Sequence, residues 1–584
     1  MDLPLSDLSP WRAALLLGPP ALYLLAAAAA ALLLPGSNAA STSAATTAAR
    51  TATAWRWARA AALGACLLAA LSMAALALGT SAVAHGPVLL PLGDFGALLF
   101  SLRSDWPGAL VMLLVGFIGW VIVGYSQPYL DGEPAQRRYL CSLLLTLAAV
   151  TLLLTTNNLM VLALAWIATS LALHGLLTFF DRRPQALLAA HKKFLASRAA
   201  DLCLLAAIAL VGHRLGTLEI DRAIAAVQAL PGSDGALQAA ALLFVTSAVL
   251  KCAQLPVHGW LIQVMEAPTP VSALLHAGVV NLGGFLLIRL GPLVTEVAAA
   301  QALLVLVGSV TAVVAAMVAM TRISIKVALA WSTCAQMGFM LMQCGLGLHA
   351  LALAHLLAHS LYKAHAFLGA GGAVAQSRLV QMAPKAVAPD ASALLMGTAA
   401  GVALVVSVSI ISGALGGTAA SSTSPASMVA ALILALALAP MLAQALASIR
   451  AQPATVHGDT VRAARPALLG RALAAAAVVV LATWALHMLA GRGWGVYAGT
   501  PGTAWLVWVV GCFVLLLVLQ SVVKARPHGA LARRLYPWFF AGFYLDELFS
   551  RLTLRVWPLR LPGTATGPRL VAPETALHNP PGAL

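Results

Sequence analysis

The sequence predicts an all-α, polytopic membrane protein of about fifteen transmembrane helices, and three observations carry that reading. Only 9% of the 584 residues are charged and 61% are hydrophobic, with a mean hydropathy of +0.92. Soluble domains carry about 25% charged residues, so most of this chain cannot face water. The apolar residues gather in runs long enough to cross about 30 Å of hydrocarbon. Between those runs, short connections collect the positive charge, which is the pattern of membrane topology. The net charge of +16 and pI near 10.1 therefore do not point to nucleic acid. A nucleic-acid groove needs a basic patch interleaved with aromatics, and the sequence has none.

Spans are expected near residues 11–34, 58–84, 106–126, 138–155, 157–180, 196–213, 238–262 and 269–292. Further spans are expected near 297–320, 326–347, 349–375, 391–415, 427–449, 468–491 and 504–523. The first begins at Trp11, exceeds a signal-peptide core and lacks a cleavage site behind a basic leader, so it reads as a retained helix. Pro87–Ser104 is too short and broken to span and reads as an extracytoplasmic surface element.

Connections after odd-numbered spans hold the positive charge. Examples are Arg137 with Arg138, the group Arg182, Arg183, Lys192, Lys193 and Arg198, then Arg322 with Lys326, and Lys524 with Arg526. The positive-inside rule then puts the N-terminus outside and the C-terminus in the cytoplasm of an inner (plasma) membrane. After residue 523 the chain turns amphipathic and basic, as a surface-lying helix does. These shifts divide the chain into N-terminal helices with a surface loop (1–130), a core (131–450), C-terminal helices (451–523), an amphipathic cytoplasmic segment (524–564) and a disordered tail rich in Pro, Gly and Thr (565–584). The string Ala-Leu-Ala-Trp at 163–166 recurs at 328–331, five spans later, as an inverted five-helix repeat would give. Breaks of the kind such repeats bring to mid-membrane are expected at Pro256 and at Gly369, Gly371 and Gly372.

Two of only seven lysines, Lys251 and Lys363, lie deep in apolar runs. A charge at mid-bilayer costs roughly 2.5–3.5 kcal/mol on insertion scales, so such a residue faces a bundle interior or a watery path. His355, His359 and Lys363 recur at i, i+4 and i+8 and share one helical face, an arrangement suited to a proton relay. Lys251, Gln254 and His258 follow i, i+3, i+7 and are expected on one face, with His276 on the next span. The acids near this region are Asp201, three residues after Arg198 and close enough for an ion pair, and Glu266. His174, His349 and His487 read better as packing residues.

A metal at His355 and His359 is disfavoured. The H-E-x-x-H context is missing, no carboxylate or thiolate completes a ligand set, and Lys363 would repel a divalent ion. The seven cysteines are scattered and show no CxxC, so no cofactor or metal is expected. No nucleophile–base set or nucleotide loop appears in the connections, and the chain reads as a transporter subunit rather than an enzyme.

The segments LKCAQLPVHGWLIQVMEAPTPVSALLHAG and HLLAHSLYKAHAFL resemble the antiporter-like subunits of respiratory complex I and of multi-subunit sodium/proton antiporters. That family's fold is a membrane bundle with two inverted five-helix repeats. The resemblance implies that Lys251 is the channel lysine of the seventh span and His276 the histidine of the eighth. It likewise implies that His355, His359 and Lys363 are the relay of the eleventh, and that Arg198 and Asp201 are the Arg-x-x-Asp of the sixth. Two departures stand out. The glutamate usual after the fifth-span tryptophan is replaced by Ile167, and no Lys or acid lies between Ala391 and Ser448, where the twelfth-span lysine belongs. The strings HAGVVNLGGFLLIRL, AWIATSLALHGLL, YKAHAFL and FYLDELFSRLT are similar to the membrane subunit of the DAB-type inorganic carbon pump. That resemblance implies a cation (H⁺ or Na⁺) conducting subunit. Its partner would be a large peripheral cytoplasmic subunit with a carbonic-anhydrase-like zinc site, where the hydration chemistry would lie. The alternative it leaves open is a proton-translocating subunit of a quinone oxidoreductase or a hydrogenase-linked complex.

Overall fold

The computed structural model describes residues 6–7, 9–34, 44–79, 81–230, 232–382, 389–414, 424–450, 459–491 and 501–558. The expected tail at 565–584 lies outside the described residues. The helices are α1 (Pro10–Leu33), α2 (Ala44–Ala77), α3 (Trp106–Tyr129), α4 (Gln136–Thr155), α5 (Leu159–Leu177), α6 (Pro184–Leu215), α7 (Ile220–Ala229) and α8 (Gly235–Lys251). They continue with α9 (Gly259–Gln263), α10 (Thr269–Ala277), α11 (Leu282–Arg289), α12 (Gly291–Thr295), α13 (Ala298–Ala319), α14 (Ile325–Gly345), α15 (His349–Leu368) and α16 (Ala373–Met382). The last six are α17 (Ala391–Ala414), α18 (Pro425–Arg450), α19 (Asp459–Ala490), α20 (Thr503–Ala525), α21 (Ala530–Phe540) and α22 (Leu545–Val556).

Among the described residues, thirteen helical stretches are long and apolar enough to cross a membrane, α10–α11 counting as one (Thr269–Arg289). This is a multi-pass membrane protein. The shorter apolar α8, of 17 residues, and the 20-residue α15 pack within the same bundle. Proline opens α1, α3 and α6 in the first turn, where its missing N–H costs nothing. Asp105, Asn158 and Asp234 cap α3, α5 and α8 through their side chains. α13 and α14 run so close that a Cβ at Gly308 would sit 2.5 Å from the Gly338 carbonyl oxygen, the small-residue packing typical of membrane helices.

The expected surface element carries short strands that the sequence did not announce, β3 (Val88–Pro91), β4 (Ala97–Leu99) and β5 (Leu102–Ser104), and β2 (Ala82–Ala84) takes the end of the span expected at 58–84, whose helix stops at Ala77. β1 (Ser6–Asp7) pairs parallel with β2, β2 antiparallel with β5, and β3 antiparallel with β4. They lie at one end of the bundle, where Asn157 N donates to Ser101 O and Asn158 bridges Glu219. A buried knot holds that end: Arg289 donates to Asp105 Oδ1 at 2.8 Å and to Thr156 O at 3.0 Å, tying α11 to α3 and α4. Burial alone would raise the Asp105 carboxyl's pKa. Arg289, Arg103 and the Gly108 N–H outweigh it and hold the group below its ordinary value.

At the opposite end, α21 and α22 fold back beneath the bundle, joined through Phe543 and Tyr544 with φ of 57° and 58°. Trp557 stacks on His191 of α6 at 4.0 Å, so the amphipathic segment is docked rather than free.

Candidate functional site

Lys251 is the last residue of α8 and 3% exposed. Its amine lies 4.4 Å from the centre of the Trp166 ring on α5. A desolvated cation–π contact of this kind contributes about 2 kcal/mol. Among the described residues, no acceptor lies within hydrogen-bond distance of that amine. Among the charges that act on it are Asp201 and Arg198, themselves an ion pair at 2.7 Å on α6.

The expected common face of Lys251, Gln254 and His258 does not form. The helix ends at Lys251, Ala253 takes φ 51°, and helical spacing is lost before His258 is reached. His258 turns instead to the capped end of the bundle. Its ring packs on Trp331 at 4.7 Å and feels the charges of Asp546, Lys192 and Arg322. Glu266 stays at the surface, its side chain 43% exposed and 3.9 Å from Arg183.

α15 carries the second group. Lys363 is 1% exposed and donates to Leu329 O at 2.8 Å and to Ser332 Oγ, both on α14. One turn earlier, His359 is buried and lies 6.0 Å from the His355 ring. His355 Nδ1 is 3.2 Å from Gln343 Oε1. From α10, His276 stacks on Phe367 at 4.5 Å and is within electrostatic reach of both Lys363 and His359. The structure therefore joins His276, His359 and Lys363 in one buried polar group, with half-buried His355 at its edge.

Two functional candidates escaped the sequence reading. Lys192 and Lys193 count there as loop charges, yet they lie inside α6 at 0% and 2% exposure. Lys193 donates to Ser170 O at 2.7 Å and Ser170 Oγ at 2.8 Å, one turn beyond Trp166, and acts electrostatically on Lys251. Lys192 pairs with Asp546 of α22 at 2.7 Å. The signal available was Pro184, a proline suited to opening a helix, which would have started the span before both lysines. Among the described residues, no group of three or more His, Cys, Asp or Glu side chains could hold a metal ion.

A family model described as "NADH:quinone oxidoreductase/Mrp antiporter, TM" matches residues 156–386, and one for the N-terminus of complex I chain 5 matches 90–140. The "Probable inorganic carbon transporter subunit DabB" of Hydrogenovibrio crunogenus is 40% identical over 485 residues, 82% of this chain and 88% of its own length. The chain belongs to the DabB family. A second member, the "Probable inorganic carbon transporter subunit DabB2" of Halothiobacillus neapolitanus, is 46% identical over 54% of this chain and 57% of its own. Among solved structures, the Mrp complex from Dietzia sp. matches with a TM-score of 0.60 at 25% identity, over 92% of this chain and 59% of that one. The DabB family thus sits within the antiporter-like subunits.

Proposed function

We propose that this chain is the cation-conducting membrane subunit that energises inorganic carbon uptake, letting H⁺ or Na⁺ run inward. Its partner on this reading is a peripheral cytoplasmic zinc subunit that hydrates carbon dioxide. The observation that carries the reading is the polar interior, with Lys193, Lys251, His276, His359 and Lys363 all at or below 5% exposure. Charges so deeply buried in a membrane protein mark ion or proton pathways. The length of the match to the DabB relative directs that pathway toward inorganic carbon.

A second reading, a proton-translocating subunit of a quinone oxidoreductase, is supported by the family model over residues 156–386. Purification of the tagged chain separates the two: one large zinc protein supports the first, and a set of redox subunits would replace it with the second. Function is tested by growth of a host deficient in carbon concentration at ambient CO₂, scored per assembled complex. Abolition of growth by an ionophore for H⁺ or Na⁺ is the expected outcome. Growth indifferent to both ionophores would sink cation coupling. The loop charges further predict a C-terminal reporter active only in the cytoplasm; activity only in the periplasm would invert the topology.

A further inference from the structure

Lys192 and Lys193 are neighbours on α6, so their side chains diverge by about 100° around the helix. One points to the capped end and the other to the core. Lys192 has no exposure, yet its carboxylate partner Asp546 is 28% exposed. Among the described residues this is the one lysine–carboxylate ion pair. Asp546 Oδ2 also accepts from Gln263 Nε2 at 2.9 Å, and its charge reaches His258. A Cβ at Gly259 would fall on Asp546 Oδ1, so the residue opposite the carboxylate has to be glycine for the pair to seat. From Lys193 the polar line continues through Ser170 and past Trp166 to Lys251.

We infer that Asp546, carried on the C-terminal surface helix, is the access group of the cation path at its capped, cytoplasmic end, positioned by Lys192, Gln263 and Gly259. This rests on the cation-coupled reading above. The carboxylate touches both water and a fully buried ammonium, which no other carboxylate among the described ion pairs does with a lysine. In the inward direction, before release to water, a monovalent cation, H⁺ or Na⁺, neutralises Asp546. Its loss of charge leaves Lys192 unbalanced, and the change acts by Coulomb's law on Lys193 and then on Lys251. The group thus supplies, at the exit of the inward path, a carboxylate that Ile167 cannot. It also gives a function to an otherwise peripheral helix.

The test measures labelled inorganic carbon uptake per assembled complex while external and internal H⁺ and Na⁺ are varied in turn. Asp546→Asn is expected to raise the cytoplasmic cation concentration that half-inhibits inward flux, or half-supports reverse flux, by about tenfold, the scale of one lost charge-assisted hydrogen bond. Asp546→Glu should restore the wild-type value, and Gly259→Ala, which keeps every charge, should reproduce Asp546→Asn. An Asp546→Asn complex with an unchanged cation dependence overturns the inference, as does loss of assembly in both Asp546→Asn and Gly259→Ala, which would make the contact structural. Wild-type uptake insensitive to both cations would instead remove the cation-coupled reading itself.

Discussion

Lys251 and Lys363 are buried amines in one bundle, yet their surroundings differ in kind. Lys251 rests on an aromatic face with a carboxylate, Asp201, in electrostatic reach and no hydrogen-bond acceptor beside it. Lys363 is gripped by two neutral oxygens and, among the described residues, pairs with no carboxylate; histidines lie within its electrostatic reach. Through-space charge acts on the first, and directional bonds anchor the second. The first site can respond to distant charge changes without breaking a contact, whereas the second must exchange hydrogen bonds to change state. On the proposed cation-coupled reading, that asymmetry divides the path into a sensing half and a handing-on half.

Four substitutions would break or sharpen the contrast. Lys251→Ala should reduce transport to the level of cells lacking the chain while the complex still assembles, because the change removes a costly buried charge. Normal uptake per complex would end its role. His359→Leu should follow closely. His355 and Lys363 are then left about 12 Å apart along the helix, too far for a direct proton hop, while an apolar side chain fits a membrane interior. Normal growth of the deficient host with His359→Leu would return the histidine to packing. Ser332→Ala is expected to lower thermal stability by about 1.5–3 kcal/mol, the worth of a hydrogen bond to a charged group, with a few-fold loss of transport. No change in the melting of the detergent-purified complex would mean that Leu329 O suffices. The smallest effect belongs to Glu266→Gln. Its exposed pair with Arg183 is worth about 0–1 kcal/mol, so uptake and melting should both match wild type. A large loss there would place a carboxylate in the path that the structure keeps outside it.

The limits of the spans were less legible than the fold: α2 and α6 start more than ten residues before the expected 58 and 196, and α8 stops at Lys251 rather than running to 262. The fold was legible because bilayer crossing demands long apolar runs. The strands between α2 and α3 were not, since three- and four-residue pairs leave no periodicity to read. Lys251 and Lys363 could be found because a lone amine in an apolar run is conspicuous. Lys192 and Lys193 were hidden by Arg182 and Arg183, which made a helix start look like a charged loop. His258 was misplaced because i, i+7 spacing holds only while a helix continues. Asp546 could not be joined to Lys192 from sequence at all: 354 residues separate them, and only docking of the surface helix brings them together.

The end of α8 at Lys251 has an electrical meaning as well. A helix carries roughly half a negative charge at its C-terminal end, where carbonyls point outward, and a cation there gains about 0.3–1 kcal/mol, up to about 2 when partly buried. Had α8 run on through residue 258, that field would have spent itself near the membrane surface. Ending at Lys251, with Cys252 and Ala253 turning away, the helix brings its negative pole to a buried ammonium that, among the described residues, has no hydrogen-bond partner. The backbone thus supplies part of the counter-charge that a glutamate after Trp166 would have given, and it does so without a side chain that can titrate.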